Sequence, residues 1–220
     1  MFRFIRYRVS KILAVIIGVE ALIVMAGWVL RIDALTRIAP TGINMKFVTA
    51  LLFFFSAFGV YCISRVVEEK DEWSAIFLPA ISLIIFLITI SLLAGRILGI
   101  STGIENLFLQ SSSSVTDFSG TISTEGWPSF PTLINFILFG LVGIISIFTS
   151  SLREKFIVYS GWFIFSVGLI ALVGYTFNLP LLYYQLSFST VPMALNTAVL
   201  FLLLGFGLTQ MFQSKEHNEA

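Results

Sequence analysis

Residues 75–99 read AIFLPAISLIIFLITISLLAGRILG, a run in which Arg96 is the only charged side chain. A hydrocarbon core about 30 Å thick requires about 20 residues of α-helix at 1.5 Å per residue, so this run predicts a helix that crosses a membrane. The chain contains further runs of the same kind, and the six predicted spans are 12–30, 45–64, 75–99, 131–150, 156–176 and 192–212. We therefore expect an all-α fold, a polytopic membrane helix bundle in which residues 1–220 form a single integral membrane domain.

The composition excludes most other classes of protein. Apolar residues make up 57% of the chain and charged residues 11%, whereas a soluble domain carries about 25% charged residues. A single cysteine and a single histidine exclude a disulfide framework and a multi-ligand zinc site. A net charge of +1 argues against a nucleic-acid partner, which requires a basic surface. Because no catalytic motif is present, we expect a non-enzymatic protein without metal or cofactor.

The distribution of basic residues predicts the orientation of the chain. If the N-terminus is cytoplasmic, the inner segments hold nine basic residues, namely Arg3, Arg6, Arg8, Lys11, Arg65, Lys70, Arg153, Lys155 and Lys215. The outer segments then hold three, namely Arg31, Arg37 and Lys46. Basic residues accumulate in cytoplasmic loops. The pattern therefore predicts a multi-pass protein of the cell membrane with both termini, including the tail 213–220, in the cytoplasm.

An internal repeat is indicated by glycines near the ends of the odd-numbered spans and polar residues near the starts of the even-numbered spans. The pairs are Gly27 with Thr49, Gly95 with Asn135, and Gly174 with Asn196, separated by 22, 40 and 22 residues. The equal spacings predict three helical hairpins of the same orientation, related by a pseudo-symmetry axis along the membrane normal. We expect each glycine to pack near its polar partner, since small and polar residues mediate helix contacts in membranes.

Glu20 is the candidate functional residue inside the membrane. It lies within the first predicted span, where an acidic side chain costs about 2.5–3.5 kcal/mol on insertion scales. An acidic residue inside a membrane span indicates a functional site by default. The alternative is a structural carboxyl group, protonated or hydrogen-bonded to a hydroxyl such as that of Ser56 or Ser82.

The segment 100–130 is predicted to be the long outer loop of the middle hairpin. It is polar and carries three acidic residues and no basic ones, the acidic residues being Glu105, Asp117 and Glu125. It is either a solvated linker or, around residues 104–109, a short interfacial helix over the outer mouth of the bundle. We expect Arg96 to lie at this interface and to extend towards these acidic residues.

Three stretches carry a family resemblance. They are WPSFPTLINFILFGL at 127–141, YTFNLPLLYY at 175–184 and MALNTAVLFLLLG at 193–205. In these stretches, and over residues 12–212 in general, the chain resembles the amino-terminal membrane regions of prokaryotic sensor histidine kinases and related signalling proteins. The resemblance implies a signal-input role, in which a six-span bundle passes a change in its surroundings to a cytoplasmic helix and an output module.

The end of the sequence departs from that family. Only QSKEHNEA follows Phe212, and this segment holds no PAS domain, phosphoacceptor helix or ATP-binding region. Either the sequence stops at a domain boundary or the module acts through a separate partner. The main hypothesis is therefore a non-catalytic, sensor-like signal-input module without its own output domain. It would contact the lipid bilayer and a membrane or cytoplasmic protein partner. The alternatives are an accessory or assembly subunit of a membrane complex and a small-solute transporter.

Overall fold

The computed structural model describes residues 2–38, 43–68, 72–104, 126–148, 151–184 and 191–211, for residues 2–6, 151 and 184 by their backbone alone. This part of the chain is helical and contains no strand. The helices are α1 (Phe2–Leu30), α2 (Phe47–Val67), α3 (Glu72–Leu98), α4 (Phe130–Ile145), α5 (Ser151–Thr176), α6 (Pro180–Tyr184) and α7 (Leu195–Thr209). A 3-10 turn at Asp33–Leu35 follows α1.

The described helices form the bundle of a membrane protein. Four of them, α1, α2, α3 and α5, are long and apolar enough to cross a bilayer. The predicted spans 131–150 and 192–212 correspond to the apolar helices α4 and α7, which contain 16 and 15 residues. At 1.5 Å per residue these two helices are about 24 and 22 Å long. They are therefore shorter than the hydrocarbon core of about 30 Å.

The helices pack in pairs that surround a common core. The most extensive contacts join α1 to α2, α3 to α4 and α5 to α7. Further contacts join α2 to α3, α4 to α5 and α1 to α7, so that the pairs form a closed ring. In the apolar stretch of α2, 72% of the residues are buried, compared with 28% in α1 and 33% in α3 and in α5. In α4 and α7, eight of 16 and ten of 15 residues are buried. Consequently α2, α4 and α7 are the inner helices, and α1, α3 and α5 form the outer layer.

Three phenylalanines lie where the inner helices meet. The ring centroids of Phe53 in α2, Phe136 in α4 and Phe201 in α7 are 4.7–5.2 Å apart, and all three side chains are fully buried. These distances are typical of favourable edge or tilted aromatic packing. Each of the three is the seventh residue of its helix. The centre of the bundle is therefore filled by aromatic side chains.

The three outer helices end with the same hydrogen-bonding motif. The N–H group five residues beyond a glycine donates to the carbonyl of that glycine at 2.8–2.9 Å, in the pairs Ile32 to Gly27, Ile100 to Gly95 and Leu179 to Gly174. This is the bond that closes a Schellman motif, which requires a left-handed residue just after the helix. Those residues are Arg31, Gly99 and Asn178, with φ of 60°, 66° and 51°. The chain therefore turns back at an equivalent point after each outer helix.

Candidate functional site

The ends of the outer helices lie close to the starts of the inner helices at one end of the bundle, which we call the capped end. There the side chain after each of the three glycines donates a hydrogen bond to a backbone carbonyl. The bonds are Trp28 Nε1 to Met45 O at 2.8 Å, Arg96 Nη1 to Pro128 O at 2.5 Å and Tyr175 OH to Met193 O at 2.6 Å. Each acceptor lies two residues before the start of the next inner helix. A side-chain tether therefore closes each connection in the same way.

The starts of the inner helices converge beneath these tethers. Each inner helix has a buried threonine as its third residue, namely Thr49, Thr132 and Thr197. The three threonines line a cavity of about 10 Å³, which is close to the volume that one water molecule needs. The cavity is too small for a substrate, and the phenylalanine cluster lies one helical turn below the threonines.

A second feature of the capped end is a junction built around Asn196, the second residue of α7. Asn196 is 2% exposed. Its Nδ2 donates to Oε1 of Glu20 at 3.3 Å, and its Oδ1 accepts the backbone N–H of Ile38 at 3.0 Å. Both bonds orient the amide, so one side chain joins α1, the start of α7 and the segment that follows the 3-10 turn. We call Glu20, Asn196 and Ile38 the Asn196 junction.

The opposite end of the bundle, which we call the basic end, holds the start of α1, the end of α2 and the start of α5. Ser10 Oγ donates to Gly207 O at 2.8 Å. Together with the bond from Asn196 to Glu20, this bond joins α1 to both the start and the end of α7. Lys11 Nζ forms an ion pair with Glu68 Oε1 at 2.9 Å, and the Glu68 side chain is only 7% exposed. Charged pairs that are partly buried are less screened by salt than surface pairs. The ion pair therefore fixes α1 against the end of α2.

The predicted glycine and polar pairs have other neighbours. A side chain added at Gly27, Gly95 or Gly174 would first meet the segment that follows the same helix, at Leu35, Thr102 and Leu182 respectively. The glycines therefore accommodate the returning chain. Among the polar partners, Thr49, Asn135 and Asn196 are the third, sixth and second residues of their helices. The three polar residues therefore lie at different heights along their helices and are not equivalent to one another.

Other candidate residues have a mixed outcome. Glu20 is partly buried and is bonded to an amide, while the hydroxyl of Ser56, one of its predicted partners, donates to Leu52 O within its own helix. Asn135 is fully buried, and neither its Oδ1 nor its Nδ2 has a hydrogen-bond partner among the described residues. Arg96 bonds to the carbonyl of Pro128. Glu105, Asp117, Glu125 and the tail 213–220 lie outside the described residues.

Trp28 and Tyr175 belong to the capped end, although neither was singled out as a candidate from the sequence. The available signal was local, since a side chain with a long-reaching donor follows each of Gly27, Gly95 and Gly174. Aromatic and basic residues near span ends are common membrane anchors. Their presence in the sequence therefore does not indicate the specific hydrogen bonds that they form here.

The chain was compared with family models, curated proteins and solved structures, and nothing matches. Within the described residues, no group of three or more His, Cys, Asp or Glu side chains could hold a metal ion.

Proposed function

We propose that the chain crosses the membrane six times as three helical hairpins of one orientation. The support comes from three features that recur in every pair of helices: the glycine-centred helix end, the side-chain tether and the buried threonine at the start of the inner helix. The phenylalanines four residues after these threonines then lie around a pseudo-threefold axis. In this proposal α4 and α7 span the hydrocarbon core together with the short non-helical segments at their ends, which supply the length that the helices lack.

The proposed orientation places the basic end in the cytoplasm and the capped end outside, in the cell membrane. We test it with single cysteines at Asp33 and Lys155, which are both exposed and lie at opposite ends. The background is Cys62→Ser, since native Cys62 is buried. Asp33→Cys should react with an impermeant maleimide added to intact cells, and Lys155→Cys should react only after lysis. The reverse pattern would invert the topology.

We further propose that the protein is a non-catalytic signal-input module. The observation that carries this proposal is the Asn196 junction. Through one buried amide, the segment after the 3-10 turn is bonded to the first turn of α7 and to an intramembrane carboxylate. A displacement of that segment, or a change at Glu20, would act directly on α7. Since α7 runs from the capped end to the basic end, it can relay such a change across the bundle.

A relay of this kind requires two arrangements of α7 whose balance a stimulus shifts, because a stimulus that interacts equally with both shifts nothing. The output would be a protein at the cytoplasmic surface, as the resemblance to sensor kinase membrane regions implies. In the described part of the bundle the axis is occupied by the three phenylalanines, so a solute pathway would need a rearrangement of the core. The geometry therefore favours a relay over a carrier.

The test is a set of fusions in which a histidine-kinase output region follows Phe212 through linkers that lengthen by one residue at a time. If α7 rotates or shifts, kinase activity should rise and fall with a period of about 3.6 residues. Asn196→Leu should change the ratio between the most and least active fusions severalfold. Leu203→Ala, on the same helix but outside the junction, is the control. Equal activity in every fusion would favour the accessory-subunit hypothesis, which needs only one state.

A further inference from the structure

A lateral groove lies between α4 and α5. It has a volume of about 450 Å³ and is lined by apolar side chains of both helices, chiefly Ile137, Leu138 and Leu141 of α4 and Phe156, Tyr159 and Phe163 of α5. Binding pockets for small molecules have volumes of roughly 300–1,000 Å³. The groove exists because α4 contacts α5 less extensively than α2 contacts α3 or α1 contacts α7. It opens to the outside of the bundle, where the bilayer lies.

The α5 wall of the groove has two basic residues at its foot. Phe156, Tyr159, Ser160 and Phe163 form this wall and share one helix face by their spacing of three and four residues. By the same spacing, the half-buried Arg153 lies one turn below Phe156. The exposed Lys155 lies one turn below Tyr159. Both are on the basic-end side of the groove.

The acidic residue between them belongs to another face. Glu154 shares its face with Ile157 and Gly161, which lie three and seven residues further along. Ile157 is fully buried, and a side chain at Gly161 would meet α7 at Gly205 and Leu208. Glu154 is therefore on the side of α5 that faces α7. The foot of the groove is consequently flanked by two positive charges.

The first turn of α5 adds to this field. The helix begins at Ser151, and the first N–H groups of a helix lack partners within it. Together with the helix dipole they favour a nearby anion. Arg153 also donates from Nη1 to Ser146 O at 3.5 Å, which holds its guanidinium close to the end of α4. Positive charge is thus concentrated where the groove meets the headgroup region.

We propose that this groove binds an anionic phospholipid, with one acyl chain between α4 and α5 and its phosphate at Arg153 and Lys155. An apolar cleft with a cationic foot is complementary to an amphiphile with a negative head. Basic pockets between transmembrane helices on the cytoplasmic side bind such headgroups. A partner transmembrane helix has a diameter of about 10–12 Å and would pack along an extended apolar face. Such a contact would not require basic residues at one end of the groove. The proposal goes beyond signal input and does not depend on it.

The test is native mass spectrometry of the purified full chain with equal amounts of phosphatidylglycerol and phosphatidylcholine. Wild-type protein should retain phosphatidylglycerol preferentially. Arg153→Gln combined with Lys155→Gln should weaken this retention about fivefold for each charge removed and leave phosphatidylcholine retention unchanged. The control is Arg6→Gln combined with Arg8→Gln, which removes the same charge from the start of α1 and should retain the preference.

A second variant tests the acyl-chain site independently of charge. Leu138→Trp should fill the groove and reduce the retention of both lipids, whereas Leu87→Trp, on an exposed face of α3, should not. Equal retention of the two lipids by wild type would overturn the proposal, as would an equal loss in the variants and their controls. Cross-linking of a cysteine at Leu138 to a second protein chain in native membranes would also overturn it, since a protein would then occupy the groove.

Discussion

Gly205→Ala should destabilise the bundle by about 1–3 kcal/mol, the usual cost of overpacking a well-packed contact. A Cβ atom on Gly205 would lie 2.5 Å from Gly161 O and 2.8 Å from Phe165 Cα, and it would also meet Phe165 N. All three neighbours are backbone atoms of α5. A flexible side chain could move aside, but here α5 and α7 themselves would have to separate. Unfolding of the purified protein by titration with SDS, followed by circular dichroism, measures the loss.

Gly207→Ala is the matched control on the same helix. The nearest atoms to a Cβ there belong to the Leu13 side chain, at 3.7 and 3.9 Å, which is ordinary van der Waals contact. Alanine is favoured over glycine in a helix by about 1 kcal/mol. The Gly207 variant should therefore be as stable as the parent or slightly more stable. If the two variants unfold at the same SDS concentration, the close α5 and α7 contact does not exist as described.

The membrane helices were the most predictable part of the fold. Hydropathy identifies them because the bilayer imposes a fixed length of apolar chain. The helix ends were less predictable. The span predicted at 131–150 is helical only to Ile145. Residues 146–148 form a turn, although Ile147 and Phe148 continue the apolar run on which the span was predicted. Apolar composition reports the surroundings of a residue and not its backbone conformation.

The spacing in the sequence singled out Gly27, Gly95 and Gly174, but it did not indicate what packs against them. Gly27 accommodates Leu35 and Thr36 of the returning chain, a contact that depends on the left-handed residue Arg31. Nothing in the sequence marks an arginine for that conformation, which costs roughly 1–2 kcal/mol for a residue other than glycine. Local geometry after the helix therefore decided what packs on the glycine.

The polar residues show a similar limit. Spacing alone favoured Asn135 and Asn196 as counterparts of Thr49, because asparagine stands out in an apolar run. The helix starts place Thr132 and Thr197 at the position of Thr49. A shift of a few residues along a helix changes the face on which a side chain lies. The two asparagines consequently have different surroundings, one bonded on both sides and one without partners among the described residues.

The same substitution at these two asparagines should have opposite effects. Asn196→Leu removes the acceptor for Ile38 N–H and the donor to Glu20, and should lower stability by about 1–3 kcal/mol because polar groups lose their partners. Asn135→Leu removes a fully buried amide with no hydrogen bond in the described part of the chain. It should raise stability, since burial of an unpaired amide costs about 1–3 kcal/mol. The corresponding sixth residues of α2 and α7 are Leu52 and Leu200, and both are buried, so a leucine is already accommodated at this position in the other two helices.

A double-mutant cycle then assigns the loss at Asn196 to Glu20. With Glu20→Leu as the second substitution, the cycle should give a coupling of about 0.5–2 kcal/mol, as expected for a hydrogen bond in a membrane protein. Glu20→Gln keeps an oxygen acceptor at the same position, so Asn196→Leu should cost nearly as much in that background as in the parent. If the effects of the Glu20 and Asn196 substitutions are additive, the Glu20 carboxylate is not coupled energetically to α7.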